Sequence, residues 1–508
     1  MSRSVVVVGA GPGGLASAML LRAAGAEVTV LERGPQVGGR TGVIRQDGFT
    51  FDIGPTFFLY PDVLREIFAA CGRDLDEEVE MVRLDPMYRL QFDDGVTFEA
   101  TPDLEKLTAA VARIDRADAR NVAAYLAENR AKFDVFRPIL QRPFLGVGAL
   151  ARGDMARALP LFRPWLTLDG DLRRWFRNPD VRLAFSFQSK YLGMSPFKCP
   201  SLFSIVAHVE YGFGVFHPLG GCNAIPRAMA RVAEDMGVEI RISEPVEELE
   251  FRGRQAVAAR TAKGRYPADA VVVNGDFAST IRAIVPDRLR RRWTDARIDA
   301  KRFSCSTFML YLGVEGSFPD MHHHTIYLSG DYLGNIHDID RGQAPDDPTI
   351  YVQNASVTDS SLAPPGHSAL YVLVPVGNLS GNVDWEALAP VYRAKVLRRL
   401  ERLCGHAIED RIRTERMFTP LDWQAQMAVF RGATFNLAHN LGQMLHLRPR
   451  NRFEDLKRVY LTGGGTHPGS GLPTIFESAR IASRLVAEDL GLGAAETGSQ
   501  TRWKEQRA

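Results

Sequence analysis

Two stretches near opposite ends of the chain could hold an anion with backbone N–H groups alone, which points first to phosphate or dinucleotide chemistry. Gly9-Ala-Gly11-Pro-Gly13-Gly14 carries glycines at the Gly-x-Gly-x-x-Gly spacing. The first glycine permits a tight turn, the second lets backbone approach a pyrophosphate, and the third lets a helix pack closely on a strand. Glu32 follows at the spacing, about 20 residues, at which a carboxylate meets ribose hydroxyls, and Arg33 stands beside it. Gly38-Gly39-Arg40 adds a second flexible loop with a cation for a phosphate, and Gly54-Pro55-Thr56 a third turn. The far stretch, residues 463–471, is again glycine-rich, contains no acidic residue, and opens a helix at Leu472. That helix N-terminus would suit the carbonyl edge of a flavin, which gathers negative charge on reduction. The alternative for each stretch is a glycine-rich turn that binds nothing.

The elements around these residues favour the binding reading. Four consecutive valines, Val5 to Val8, read as a strand covered on both faces, and Pro12 suits the first turn of a helix over residues 12–24. A second strand, Glu27-Val-Thr-Val-Leu31, delivers Glu32. Strand, turn, helix, strand and acid thus occur in order, and the three loops together imply a dinucleotide that extends well past its pyrophosphate. Three adjacent histidines, His322-His323-His324, invite a metal, but side chains alternate along a strand and cannot all face one ion. No metal site is assigned.

The 508 residues exceed one domain on the usual size prior, and Lys plus Arg exceeds Asp plus Glu by only 62 to 60. That balance gives no reason to expect nucleic acid as a partner. Five scattered cysteines without a Cys-x-x-Cys pair suit a reducing compartment. The apolar run at the N-terminus is too short for a secretory signal, and no apolar stretch is long enough to span a bilayer. The expected location is cytoplasmic, peripheral on the inner face of the cell membrane.

The fold class is α/β, a Rossmann-like dinucleotide domain interleaved with an α+β substrate domain and a helical cap. Residues 1–80, 217–285 and 455–492 are expected to form the first domain. Residues 81–216 and 286–454 are assigned to the second, with a disordered tail over 493–508. Expected strands include 238–242, 245–251, 256–261, 270–274, 307–312 and 370–376, and helices include 104–114, 119–136 and 385–404. Within 133–200, Phe, Trp and Leu interleave with Arg and Pro. Such a segment could lie at a membrane interface, the alternative being a helical cap with arginines in solvent.

Over nearly its full length the chain resembles the bacterial-type phytoene desaturases, FAD-dependent carotenoid desaturases related to the flavin amine oxidases. The resemblance rests on the glycine motif with Glu32, Gly38-Gly39-Arg40, Phe51-Asp-Ile-Gly-Pro-Thr56, and Gly464-Gly-Thr-His-Pro-Gly-Ser-Gly-Leu-Pro473. Where the family often carries arginine before a glycine pair, this chain has His217-Pro218-Leu219-Gly220-Gly221, which leaves substrate and subtype open. The resemblance implies an amine-oxidase-like FAD fold. It assigns Gly9, Gly11, Gly14 and Glu32 to the ADP half, Arg40 to the pyrophosphate, Val246 to adenine through its backbone, and Gly465, Thr466 and Leu472 to the flavin. Gly13, Arg33, Gly39, Gly54, Pro55, Thr56 and Gly471 complete the implied cofactor-binding set. The implied reaction is desaturation of an acyclic carotenoid precursor of phytoene or diapophytoene type. A hydride passes from a CH2–CH2 unit to the flavin, a proton leaves, and dioxygen or a quinone accepts the electrons. Asp154, in the aromatic and basic segment, is the nominated base, against a plain solvated helix acid. The rivals are a carotenoid oxidase or ketolase on the same scaffold, a protoporphyrinogen-oxidase-like flavoenzyme, and a non-enzymatic prenyl carrier.

Overall fold

The computed structural model describes residues 3–150 and 153–493, with the side chains of all but Asp154, Ala156, Arg157 and Tyr191. Asp154's side chain and the tail from residue 494 therefore lie outside the described parts. A five-stranded parallel sheet runs in the order Glu239–Arg241, Glu27–Leu31, Ser4–Val8, Ala270–Val273, Val459–Leu461. It draws on widely separated stretches of the chain. Because side chains alternate, Val5 and Val7 pack under the helices Pro12–Ala23, Ala224–Asp235 and Leu472–Leu490, whereas Val6 and Val8 pack under the helix Phe277–Ile284 and the three-stranded sheet of Glu248–Arg252, Gln255–Thr261 and Gly264–Pro267. Each valine buried this way contributes about 2 kcal/mol relative to exposure.

A second, mixed sheet has seven strands, ordered Ile412–Phe418, Ser306–Glu315, His367–Val376, Ile350–Asn354, His324–Tyr327, Tyr88–Gln91 and Thr97–Ala100. All neighbours are antiparallel except His324–Tyr327 with Tyr88–Gln91. The helix Trp385–Cys404 covers one face. Phe49, Phe51 and Ile53, on and just after the strand Phe49–Asp52, pack against part of the other. A helical layer, including Leu104–Ile114, Val122–Leu140 and Leu168–Leu172, caps the edge formed by Tyr88–Gln91 and Thr97–Ala100.

Several expected elements shift for physical reasons. The strand expected over 245–251 begins only at Glu248. Pro245 has no N–H to give a ladder, and Ser243 and Glu244 spend theirs on the carbonyls of Gly34 and Glu32. The helix expected over 119–136 becomes two, Arg116–Ala119 and Val122–Leu140, the first capped by Asp115. The strand Ile350–Asn354 escapes the sequence pattern, since buried Gln353 and Asn354 interrupt the apolar run that marks a covered strand, and the strand implied at the histidine triplet takes in only His324 of the three, running His324–Tyr327.

Candidate active site

At the carboxyl ends of three parallel strands the chain turns through Gly9, Asn274 and Thr462, in the crevice where open α/β sheets bind ligands. Gly9 has φ +97° and opens the first turn. A Cβ on Gly14 would lie 2.0 Å from the Gly9 carbonyl oxygen, so only glycine lets the helix Pro12–Ala23 sit this close to its strand. Glu32 is buried, accepting from the N–H of Ala10 at 2.7 Å and of Gly34 at 2.7 Å. Its carboxylate is thereby fixed at the first glycine turn. The Glu244 N–H donates to the Glu32 carbonyl at 2.7 Å, which brings half-buried Val246 alongside. Arg33 is exposed and donates to the Gln426 carbonyl.

Gly38 donates to the Ala10 carbonyl at 2.9 Å and stacks the second loop on the first. Arg40 reaches the Thr434 carbonyl at 2.7 Å. The turn at Gly54-Pro55-Thr56 is pinned by three tyrosines of the seven-stranded sheet: Tyr311 donates to the Ile53 carbonyl (2.6 Å), Tyr371 to that of Gly54 (2.7 Å), and Tyr351 shares a hydrogen bond with the Thr56 hydroxyl (2.6 Å). Asp52, just before this turn, accepts from the N–H groups of Cys222 (2.8 Å) and Asn223 (3.0 Å). Burial pushes its carboxyl up to about 6 against the pull of those donors. None of these partners could be named from sequence, because a carbonyl or N–H carries no residue identity.

The far loop is held from behind. Arg448, fully buried, donates to the carbonyls of Gly464 (2.7 Å), Thr466 (3.1 Å) and Leu437 (3.2 Å), and burial without a carboxylate lowers its guanidinium to about 9. Asn451 donates to the His467 carbonyl at 3.0 Å. Thr466 is buried and donates to the Pro449 carbonyl at 3.0 Å. His467 donates to the Arg142 carbonyl at 3.1 Å, and burial depresses its imidazole to about 3. No motif in the sequence assigns Arg448 or Asn451 to this loop; only the fold brings them behind it.

One cavity joins both halves. It is lined by Arg40, Gly54, Pro55 and Thr56 on one side and by Gly464, Gly471 and Leu472 on another. It then continues over the seven-stranded sheet, where Tyr371, Leu373 and Pro375 face it at period two, next to Ile326 and Leu328. The histidine triplet is divided: His323 meets Thr358 at 2.7 Å, and His324 meets Tyr351 at 2.8 Å while stacking on Phe57.

The flavin containing amine oxidoreductase family model matches residues 12–487. The chain belongs to that family. It is accordingly an FAD-dependent oxidoreductase. A 4,4'-diapophytoene desaturase (4,4'-diapolycopene-forming) from Methylomonas sp is 40% identical to this flavoenzyme, covering 96% of each chain. A phytoene desaturase (neurosporene-forming) from Rhodobacter capsulatus is 36% identical, covering 95% of this chain and 94% of its own. A putrescine oxidase structure shares the fold with TM-score 0.63 at 17% identity, covering 97% of this chain and 99% of its own.

The residues present fit FAD on their own geometry. Two glycine loops open helices toward one crevice, a fixed carboxylate stands at the near turn, and the hydroxyls of Thr307, Thr434 and Thr462 around it are buried with no hydrogen-bond partner among the described residues. Buried polar groups are normally satisfied, so these three are available to a ligand.

Proposed function

We propose that this flavoenzyme desaturates an acyclic carotenoid precursor of phytoene or diapophytoene type, converting CH2–CH2 units into conjugated double bonds. The observation that carries this reading is the single cavity running from the far glycine loop onto an apolar sheet face, in a chain whose full-length relatives bear desaturase names. A hydrocarbon needs no hydrogen-bond partners, only a dry wall that aligns it, and Phe57, Leu59, Phe187, Ile326, Leu328 and Leu373 supply one. When bound, FAD supplies the two-electron oxidising capacity. Glu32, Arg40 and the N–H groups of Gly11, Gly13 and Gly14 would hold its ADP half, Val246 would meet the adenine, and Gly465, Thr466, Gly471 and Leu472 would face the ring system. The apolar wall keeps water away while positive charge develops on the polyene. Residues 1–80, 217–285 and 455–492 form the cofactor domain in this reading, and dioxygen or a quinone drains the electrons.

Membrane docking through residues 133–200 belongs to the same proposal. Among the described residues no helix is long and apolar enough to cross a membrane. Val147, Leu159 and Trp165 are exposed by 69%, 52% and 70%, in the segment that sequence composition marks as interfacial. Its arginines are largely committed: Arg163 to Glu128 at 2.7 Å, Arg174 to Asp171 at 2.7 Å, Arg173 to Asp169 at 2.8 Å.

The test is incubation of the FAD-loaded protein with thirty- and forty-carbon acyclic precursors in vesicles, with dioxygen or a quinone present. Products lighter by two hydrogens per step are expected, with the protein cosedimenting with the vesicles. Unchanged precursors, or products that have gained oxygen, would sink the desaturase reading.

A further inference from the structure

Removing hydride from a saturated carbon pair leaves a proton to be taken by something, and the cavity wall is poor in bases. Among its described lining residues there is no carboxylate and no imidazole. Burial pushes the phenols of Tyr332, Tyr351 and Tyr371 upward, so they keep their protons, and the thiol of Cys305 is pushed up to about 11. Two charged side chains remain, Arg40 and Lys190. Arg40 is held by the Thr434 carbonyl, and a guanidinium is a donor with no acceptor site for a proton.

Lys190 differs in every respect. It sits on the short 3-10 helix Phe187–Leu192, and its ammonium has no hydrogen bond or ion pair to a described side chain; it lies 5.7 Å over the Tyr332 ring. The backbone around it is wedged between the two halves of the cavity. Leu192 lies 3.9 Å from where a Cβ on Gly471 would stand, and a Cβ on Gly193 would lie 3.2 Å from the Cys305 sulfur. The nearest carboxylate acting on it, Asp340, is already paired with Lys198 at 2.5 Å. Burial lowers the Lys190 amine to about 8, with Cys305 and Asp340 opposing weakly. About a tenth of the amine is therefore neutral at pH 7, and about half at pH 8. Its charge state matters, because an ammonium at this wall would repel the positive charge that develops on the polyene, whereas a neutral amine can accept a proton from it.

We propose that Lys190 is the proton acceptor of the desaturation, an assignment that rests on the carotenoid desaturase reading. As one carbon gives its hydride to FAD, the neighbouring carbon gives its proton to the Lys190 amine. The electron pair of that C–H bond becomes the second bond of the new C=C. The ammonium then returns its proton to water at the open end of the cavity.

The experiment compares wild type, Lys190→Met and Lys190→Arg, each FAD-loaded and matched for flavin content and melting temperature. Anaerobic single-turnover product formation from acyclic precursors in vesicles is followed from pH 6 to 10. Wild-type rate is expected to rise through an apparent pKa near 8. Both variants are expected to lose about 100-fold, the low end of a general base's usual contribution, and to show no such inflection. Independently of turnover, NMR of isotope-labelled lysine side chains should show one amine titrating near pH 8, absent in Lys190→Met. If Lys190→Met keeps both rate and pH profile, or if that resonance stays charged to pH 10, the assignment falls while the desaturase reading stands. Loss of the inflection in Asp154→Asn but not in Lys190→Met likewise overturns it. If wild type leaves every precursor unchanged, the desaturase reading falls and this role with it.

Discussion

The glycine turn at residues 9–14 is shaped by its immediate neighbours, whereas the one at 463–471 is shaped by side chains that reach in from elsewhere. At the first, a valine strand and a helix of small residues leave room only for glycine, with a Cβ on Gly14 placed 2.0 Å from a carbonyl oxygen. At the second, Arg448 and Asn451 hold the carbonyls of Gly464, Thr466 and His467 from behind, and His467 ties the loop to Arg142. The near loop is thus a steric device and the far loop a polar one. Steric shape tolerates changes of pH and charge, and polar shape does not.

The largest break in this contrast is expected at Arg448. Arg448→Met takes a donor from the buried carbonyls of Gly464, Thr466 and Leu437, of which Gly464 keeps only the Ser470 hydroxyl at 3.2 Å; at about 1–3 kcal/mol for each lost bond it should cost more than about 3 kcal/mol with loss of bound flavin. Arg448→Lys should fail to rescue it, since an ammonium cannot span carbonyls spread across a fork. Denaturant melts and flavin absorbance read both. Next, Gly14→Ala should cost about 2–3 kcal/mol by overpacking, while Gly264→Ala, with nothing within 4 Å of its Cβ, should stay within about 0.5 kcal/mol. Equal effects at the two glycines would remove the steric account of the near loop.

The smallest effect sharpens the polar side. His467 has a folded-state pKa near 3 against 6.5 unfolded, so its neutral form is favoured by folding. Its contribution is present above about pH 6.5 and is lost as pH falls from there toward 3. Asp52 runs the other way: its pKa, raised from 3.8 to about 6, gives stability at low pH that is lost as pH rises across that interval. The two partly cancel between pH 4 and 6. His467→Gln, compared with wild type by melting temperature against pH, should therefore lose the imidazole's rise in stability between about pH 3 and 6.5 and leave Asp52 to tilt the pH 4–6 interval toward acid, by about 1–2 kcal/mol after relaxation. A profile unchanged by the substitution would show that the far loop is not held through this imidazole.

The near loop was legible because its determinants are consecutive: Val5 to Val8, the glycines, Pro12 and Glu32 specify strand, turn, helix and acid at fixed spacing. The seven-stranded sheet was legible in part, most clearly in the apolar strands around Thr307 and Leu370. Ile350–Asn354 escaped because its buried polar groups find partners across the fold, as Gln353 does with His323.

By itself, then, the chain's sequence determined the dinucleotide turn, the second glycine-rich loop and the family, since each depends on which residue types can adopt a conformation or approach a phosphate. Only the tertiary structure decided what holds those loops and what lines the cavity. Arg448 behind Gly464, the tyrosines at Ile53 to Thr56, and Lys190 on a largely apolar wall are all relations between distant residues. The physical reason is that backbone carbonyls accept hydrogen bonds without regard to residue type, and a buried amine takes its pKa from a cavity that exists only once both sheets are in place.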